Sequence, residues 1–380
     1  MTDHERREFL CRSLALSRGD RLRRWLERTI RGGVVWEDII ELSSRQLLCP
    51  ALYRAYADKH LLAVLPEDVR DYLQGMHVLN AERNQHLLGW TTEIVQALNR
   101  IGVEPVVLKG MAGLFLRTYP DRGVRVVRDL DLLVPAPAGD DCVGALRAIG
   151  YGDLESRQPL PSDHHHRQWL WRRGVPMVVE VHVHAVEAQW QGVLPTDDMW
   201  RGVQRIAVPG VRLQVPAAEH RVVHAVVHAI QHAELGHGST WHAHVPFREM
   251  LELIWLRARL DAQTDWTAIL ERFDRRGKAG AVRTFLFFTE RLLNAKAPAG
   301  CGPGLPGRAA YWAYLAAQHV SQSGLAEVVA KDLASQVRTA LRDPALATRF
   351  ALNALRPRAY RNVAERLHSV WDEAQAGDDL

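Results

Sequence analysis

Apolar residues in the first hundred positions recur at intervals of three and four. They run from Ile39, Ile40 and Leu42 to Leu47 and Leu48, and again from Tyr72 and Leu73 to Leu87 and Leu88, which is the spacing of amphipathic helices. Pro50 and Pro66 punctuate them, so residues 5–100 are predicted to be helical. The period then shortens. Residues 103–108 form a β-branched run, 111–117 a helix, 129–134 a strand, and 141–149 a helix closed by Gly150. Residues 169–171 and 175–184, joined through Arg172-Arg173-Gly174, predict a β-hairpin, and 206–213 predicts a second, shorter one. From Ala217 onward the helical period returns, interrupted by the Gly/Pro-rich stretch 298–307, which is expected to be a linker. The resulting division is a helical region over 1–100, an α/β core over 101–216 and a helical region over 217–380.

Polar residues inside the two most apolar strands carry the candidate chemistry. Strand side chains alternate, so Asp129 and Asp131 share one face while Leu130, Leu132 and Val134 take the other. In the second strand Met177, Val179, Val181 and Val183 share a face, and Glu180, His182 and His184 share the opposite one. Carboxylates in apolar runs are costly to bury without a neutralising cation. Three of them on adjacent strands could hold two Mg²⁺ ions that bridge nucleotide phosphates. The plain alternative is a solvated strand end, with Glu180 paired to a nearby arginine. Upstream, Lys109-Gly110 falls at a strand-to-helix junction, where glycine admits close backbone approach and helix amides attract phosphate. Lys109, whose ammonium is expected to aim at a triphosphate rather than at the metals, is joined by Arg125 and Arg128 as candidate phosphate-facing cations.

Charge narrows the picture only slightly. The 48 basic and 44 acidic residues give a net charge of +4, which permits a nucleotide or nucleic-acid partner without requiring one. Cys11, Cys49, Cys142 and Cys301 lie far apart with no CxxC pair, which argues against a disulfide framework or a thiolate zinc site and fits a cytoplasmic setting. Neither a signal peptide nor a membrane span is expected. No Walker loop, His-Glu-x-x-His or Gly-x-Ser-x-Gly occurs. His232-Ala-Glu234 lacks the later Pro-Cys-x-x-Cys of a zinc deaminase.

The ordered set Leu108-Lys109-Gly110, Tyr119-Pro120, Arg125 with Asp129-Leu-Asp131-Leu-Leu-Val134, and Glu180-Val-His182, behind a helical lead from Trp36 to Tyr53, resembles a known family. These are the uncharacterised bacterial nucleotidyltransferase-like proteins of the DNA polymerase beta superfamily, some of them found beside lasso-peptide biosynthesis genes. The resemblance covers roughly residues 35–260. It implies an α+β fold with a mixed sheet core flanked by helical regions. It also implies Asp129 and Asp131 as a metal-binding pair with Glu180 as third carboxylate, and Mg²⁺ or Mn²⁺ as cofactor. Lys109, Gly110, Arg125, Arg128 and His182 would then bind a nucleoside triphosphate. The acceptor would be a hydroxyl on a small molecule, a peptide natural product or a protein. One departure stands out: Lys109-Gly110-Met111 replaces the superfamily's Gly-Ser or Gly-Gly phosphate loop, so nucleotide binding must be arranged differently.

Histidines are numerous, at 18, and His220, His224, His228 and His232 recur every fourth residue. On a helix they form one stripe, which either faces the carboxylates or packs against Val222, Val223, Val226, Val227 and Ile230. Glu249 stands about where the family often has an acidic residue on a late helix, and the run His164-His165-His166 is expected in a solvated loop. Two functions follow: a metal-dependent nucleotidyltransferase, or an inactive relative that keeps the fold as a binding scaffold.

Overall fold

The computed structural model describes residues 3–16, 19–154, 160, 164–235, 246–305 and 307–308. By compactness the chain divides into two units. One comprises Phe9–Ala229 with Pro246–Ile269, the other Met1–Glu8, Ile230–Val245 and Leu270–Leu380.

Four helices lead the chain: α1 (Asp3–Leu14), α2 (Asp20–Arg31), α3 (Trp36–Arg45) and α4 (Cys49–Asp58). Pro50 sits in the first turn of α4, where its missing N–H costs nothing. Helix α5 (Glu67–Arg100) runs 34 residues, opening with Glu67 and Asp68 at its positive end. It closes on Gly102, whose φ of 81° lets Val103 N–H donate to Leu98 O and Gly102 N–H donate to Asn99 O, capping two orphan carbonyls.

The chain then alternates through β1 (Val106–Val107), α6 (Lys109–Phe115), β2 (Asp129–Leu133), α7 (Gly139–Ala148), β3 (Gly152–Asp153), β4 (Leu170–Trp171), β5 (Val178–His182), α8 (Thr196–Arg201), β6 (Val203–Val208) and β7 (Val211–Pro216). Helices α9 (Ala218–Leu235), α10 (Phe247–Leu260), α11 (Trp266–Asp274) and α12 (Ala279–Leu293) follow.

The seven strands form one mixed sheet in the order β3-β4-β5-β2-β1-β7-β6, making the fold α+β. Strand β2 is central, parallel to β5 and antiparallel to β1, which in turn runs parallel to β7. Leu130, Leu132, Val179 and Val181 are completely buried on the face opposite Asp131 and Glu180.

Several elements depart from the sequence expectation. The strand expected over 103–108 pairs only at Val106 and Val107. Pro105 precedes them without an N–H to donate, and the chain turns into α6 through Lys109 at a φ of 45°. That helix therefore starts two residues before the expected 111. The hairpin expected at 206–213 does turn at Pro209-Gly210, but its strands extend to Val203 and Pro216. Strand β3 was not anticipated, because Gly152-Asp153 has no β-propensity and is a strand only through pairing with β4. The described part of 298–307 is tied to α12, where Arg283 Nη1 donates to Gly300 O at 2.5 Å. Residues 309–380, expected to be helical, lie outside the described residues.

Candidate functional site

Strands β2 and β5 run parallel with Asp131 opposite Glu180 and Leu133 opposite His182. Partners in register share a face, so this pairing puts Asp129, Asp131, Glu180 and His182 on one side of the sheet. Lys109 comes from the left-handed junction between β1 and α6, and its Nζ donates to Asp131 Oδ1 at 2.5 Å. His182 Nε2 donates to the same Oδ1 at 3.0 Å and lies 3.3 Å from Glu180 Oε2. Glu180 Oε1 accepts from Trp169 Nε1 at 2.8 Å. His166 Nε2 stands 3.8 Å from Glu180 Oε2.

Burial and charge oppose one another throughout this cluster. Asp131 is 1% exposed, and burial would raise its pKa, but the Lys109 ammonium and the His182 hydrogen bond hold it well below the usual carboxylate range. Burial would likewise depress Lys109, yet Asp131, Glu180 and Asp129 together hold its pKa above the ordinary lysine value. Asp129, half-buried at the start of β2, moves the other way: burial and the charge of Asp131 both raise its pKa. Burial would also lower His182, whose hydrogen bonds to Asp131 and Glu180 raise it instead.

Ligand atoms of Asp131, Glu180 and His182 lie within 4.8 Å of one another. The two carboxylates suit a divalent ion of the Mg²⁺ or Mn²⁺ class, and His182 would add a nitrogen favouring Mn²⁺ only by giving up its hydrogen bond to Asp131. Asp129, two residues before Asp131 on the same face, is not part of this closest trio.

The other expected residues take different places. Lys109 does not aim away from the carboxylates, because its position is set by the turn at its own backbone. Arg125, expected to face phosphate, is 8% exposed and donates to Glu252 through Nε at 3.0 Å and Nη2 at 2.7 Å. Tyr119 adds its hydroxyl, 3.2 Å from Glu252 and 3.3 Å from Gly110 O. These contacts form an internal brace. Arg128 is exposed, with no side-chain partner among the described residues. At Gly110, the absent Cβ makes room for Val127, whose Cγ2 would stand 3.1 Å from it.

On α9, His224 is buried near Lys109, and burial followed by that positive charge lowers its pKa to about 3. His220 packs against Gly202, His228 is half-buried, and the His232 side chain lies outside the described residues. Glu249 pairs with Arg248, and its charge also acts on Arg125.

Sequence reasoning missed Glu252, one helical turn beyond Glu249, and the bonding role of Trp169. The signal for Trp169 was the hairpin itself: Leu170 pairs with Val179, which sets its neighbour beside Glu180.

No curated protein matches the chain. The crystal structure of an antigenic nucleotidyltransferase-like protein from Paracoccidioides brasiliensis is similar over 56% of this chain and 94% of that one. The two share 14% identity with a TM-score of 0.32, a likeness too slight to bear on fold or function. A family model described as an uncharacterised nucleotidyltransferase matches residues 33–294, well over half of the chain and including every residue of the carboxylate cluster, and the chain belongs to that family.

Proposed function

We propose that the protein is a metal-dependent nucleotidyltransferase that moves a nucleoside monophosphate from a nucleoside triphosphate to an acceptor hydroxyl. The observation that carries this reading is the in-register pairing of Asp131 with Glu180 on adjacent parallel strands, with Asp129 upstream on the same face. Asp131, Glu180 and Asp129 would hold the cation, and His182 would orient the first two by its shared hydrogen bond. Bound there, Mg²⁺ or Mn²⁺ supplies charge for the triphosphate and acidifies the attacking hydroxyl. Trp169 fixes the rotamer of Glu180. Arg128, exposed just ahead of the carboxylates, is a cation available to the phosphates. The acceptor is a small molecule, a peptide natural product or a protein.

The test incubates purified protein with Mg²⁺ or Mn²⁺ and each labelled triphosphate. Transfer should fall by about a hundredfold or more in Asp131→Asn and Glu180→Gln, since even groups behind a metal ligand are worth tenfold and upward. Absence of triphosphate binding in the wild type, unchanged in both variants, would sink the proposal.

One observation favours a second reading, a non-catalytic scaffold. The Lys109–Asp131 ion pair already neutralises the carboxylate that a metal would need. A scaffold keeps its partner binding in Asp131→Asn, whereas an enzyme loses function with the fold intact.

A further inference from the structure

Beside the carboxylates lies a second set of donors that the reaction above does not use. His164, His165 and His166 each present a ring nitrogen, and these three atoms lie within 4.8 Å of one another. The rings are mutually close, with centroids 4.3 Å apart for His164 and His165, 4.3 Å for His164 and His166, and 4.7 Å for His165 and His166. Backbone bonds to the strand fix the segment: His165 O accepts from Val183 N at 2.9 Å and from His184 N at 3.0 Å, and Arg167 N donates to Val181 O at 2.8 Å. The segment expected to be a solvated loop is thus stitched along the end of β5, with His166 only 5% exposed.

The hydrogen bonding within the trio is incomplete in a telling way. His166 Nδ1 lies 2.6 Å from Arg167 O, so Nδ1 carries the proton and Nε2 keeps its lone pair. That backbone carbonyl behind an imidazole is how metal-bound histidines are usually oriented. The half-buried His165 ring has no hydrogen bond among the described residues. A fourth imidazole, His182, packs 5.1 Å from both His165 and His166, and its Nδ1 is buried without a hydrogen-bond partner. Three imidazoles this close, two half-buried and one buried, with His164 Nδ1 accepting only a long 3.4 Å bond from His166 N, present lone pairs that a cation would collect.

We infer that His164, His165 and His166 form a second metal site, for a borderline transition ion such as Zn²⁺ or Co²⁺, next to the carboxylate site and separate from it. Imidazole binds such ions well and Mg²⁺ poorly, so Mg²⁺ should not compete for the histidine site. A Zn²⁺-class ion here would lock the three rings together at the end of β5. The inference does not depend on nucleotide transfer.

The full-length protein is titrated with CoCl₂ without nucleotide, following the ligand-field absorbance of Co²⁺ and, separately, metal retained after gel filtration. Wild type and Asp131→Asn should both bind Co²⁺, and millimolar Mg²⁺ should not displace it. His164→Gln and His165→Gln, each checked for fold by circular dichroism, should weaken Co²⁺ binding by about a hundredfold. Unchanged affinity in both histidine variants, loss of Co²⁺ in Asp131→Asn, or displacement by Mg²⁺ would each overturn the site. If a histidine variant does not fold, the Mg²⁺ competition and Asp131→Asn arms still decide. Failure here leaves triphosphate binding untouched, and failure of transfer leaves Co²⁺ binding untouched.

Discussion

Lys109 occupies a backbone conformation that side chains with a Cβ seldom adopt, and its ammonium lies on the most deeply buried carboxylate of the site. A left-handed residue costs on the order of 1–3 kcal/mol and persists only where its surroundings fix it. Here the short β1, the start of α6 and the ion pair with Asp131 all do so. Lys109→Met should destabilise the fold by roughly 1–3 kcal/mol, because Asp131 loses a charged donor while staying buried. It should also raise Mn²⁺ affinity in the absence of nucleotide, since ammonium and metal compete for one oxygen. Thermal unfolding and a Mn²⁺ titration followed by electron paramagnetic resonance measure both, and weaker Mn²⁺ binding would contradict the competition. His224 makes an independent prediction. Its folded pKa is lowered to about 3, whereas an unfolded histidine titrates near ~6.5. Between those values the unfolded chain binds the extra proton, so stability falls as pH drops from ~6.5 toward 3, by at most ~1.4 kcal/mol per pH unit. His224→Gln should flatten that acid limb in denaturant melts, and an unchanged slope would remove the histidine from the account. At this scale, alternation along the strands made Asp129, Asp131 and Glu180 legible in the sequence. The direction of Lys109 was not, since it depends on one φ angle, and neither was the engagement of Arg125, since its partner Glu252 lies 127 residues away.

The element that organises the site is α5, through polar residues set into its buried side. Asn80 Nδ2 donates to Gly123 O and Arg125 O, and Asn84 Nδ2 donates to Arg122 O and Arg125 O. Arg83 reaches the carbonyls of Val127 and Pro176. Farther along, Asn99 holds Val103 O and Arg212 O, and Glu93 receives Arg172. The loop ahead of β2 has no ladder of its own, and these side chains satisfy its carbonyls instead. Asn84 is completely buried. Asn84→Leu should therefore leave Arg122 O without its side-chain donor and Arg125 O with Asn80 alone, and cost about 1–3 kcal/mol. Amide exchange should quicken in residues 118–128 more than in α2 or α3, and uniform quickening would mean that α5 itself had weakened. In the sequence, Asn80 and Asn84 look like gaps in an apolar stripe. Periodicity reveals the helix and hides the stitches, because a donor is recognised only when its acceptor is known.

For the whole molecule, the change of period from helical to alternating and back made the α+β class legible. The strand order was not legible, since pairing β1 with β7 joins Val106 to Gln214 across everything between them. Nothing in either segment names the other: β1 is two valines and β7 a plain alternation, and each would pair with many edges. That long-range pairing has a consequence for the nascent chain. At about 5–20 residues per second, the ribosome needs roughly 5–20 s after making Val106 before Gln214 exists to cover its outer edge. Glu180, the partner of Asp131, also emerges late, some fifty residues after it. While the helices α1–α5 are already out and able to pack, the half-built sheet waits with an apolar edge exposed, which makes this interval the one in which a chaperone that shields strands would matter most to yield.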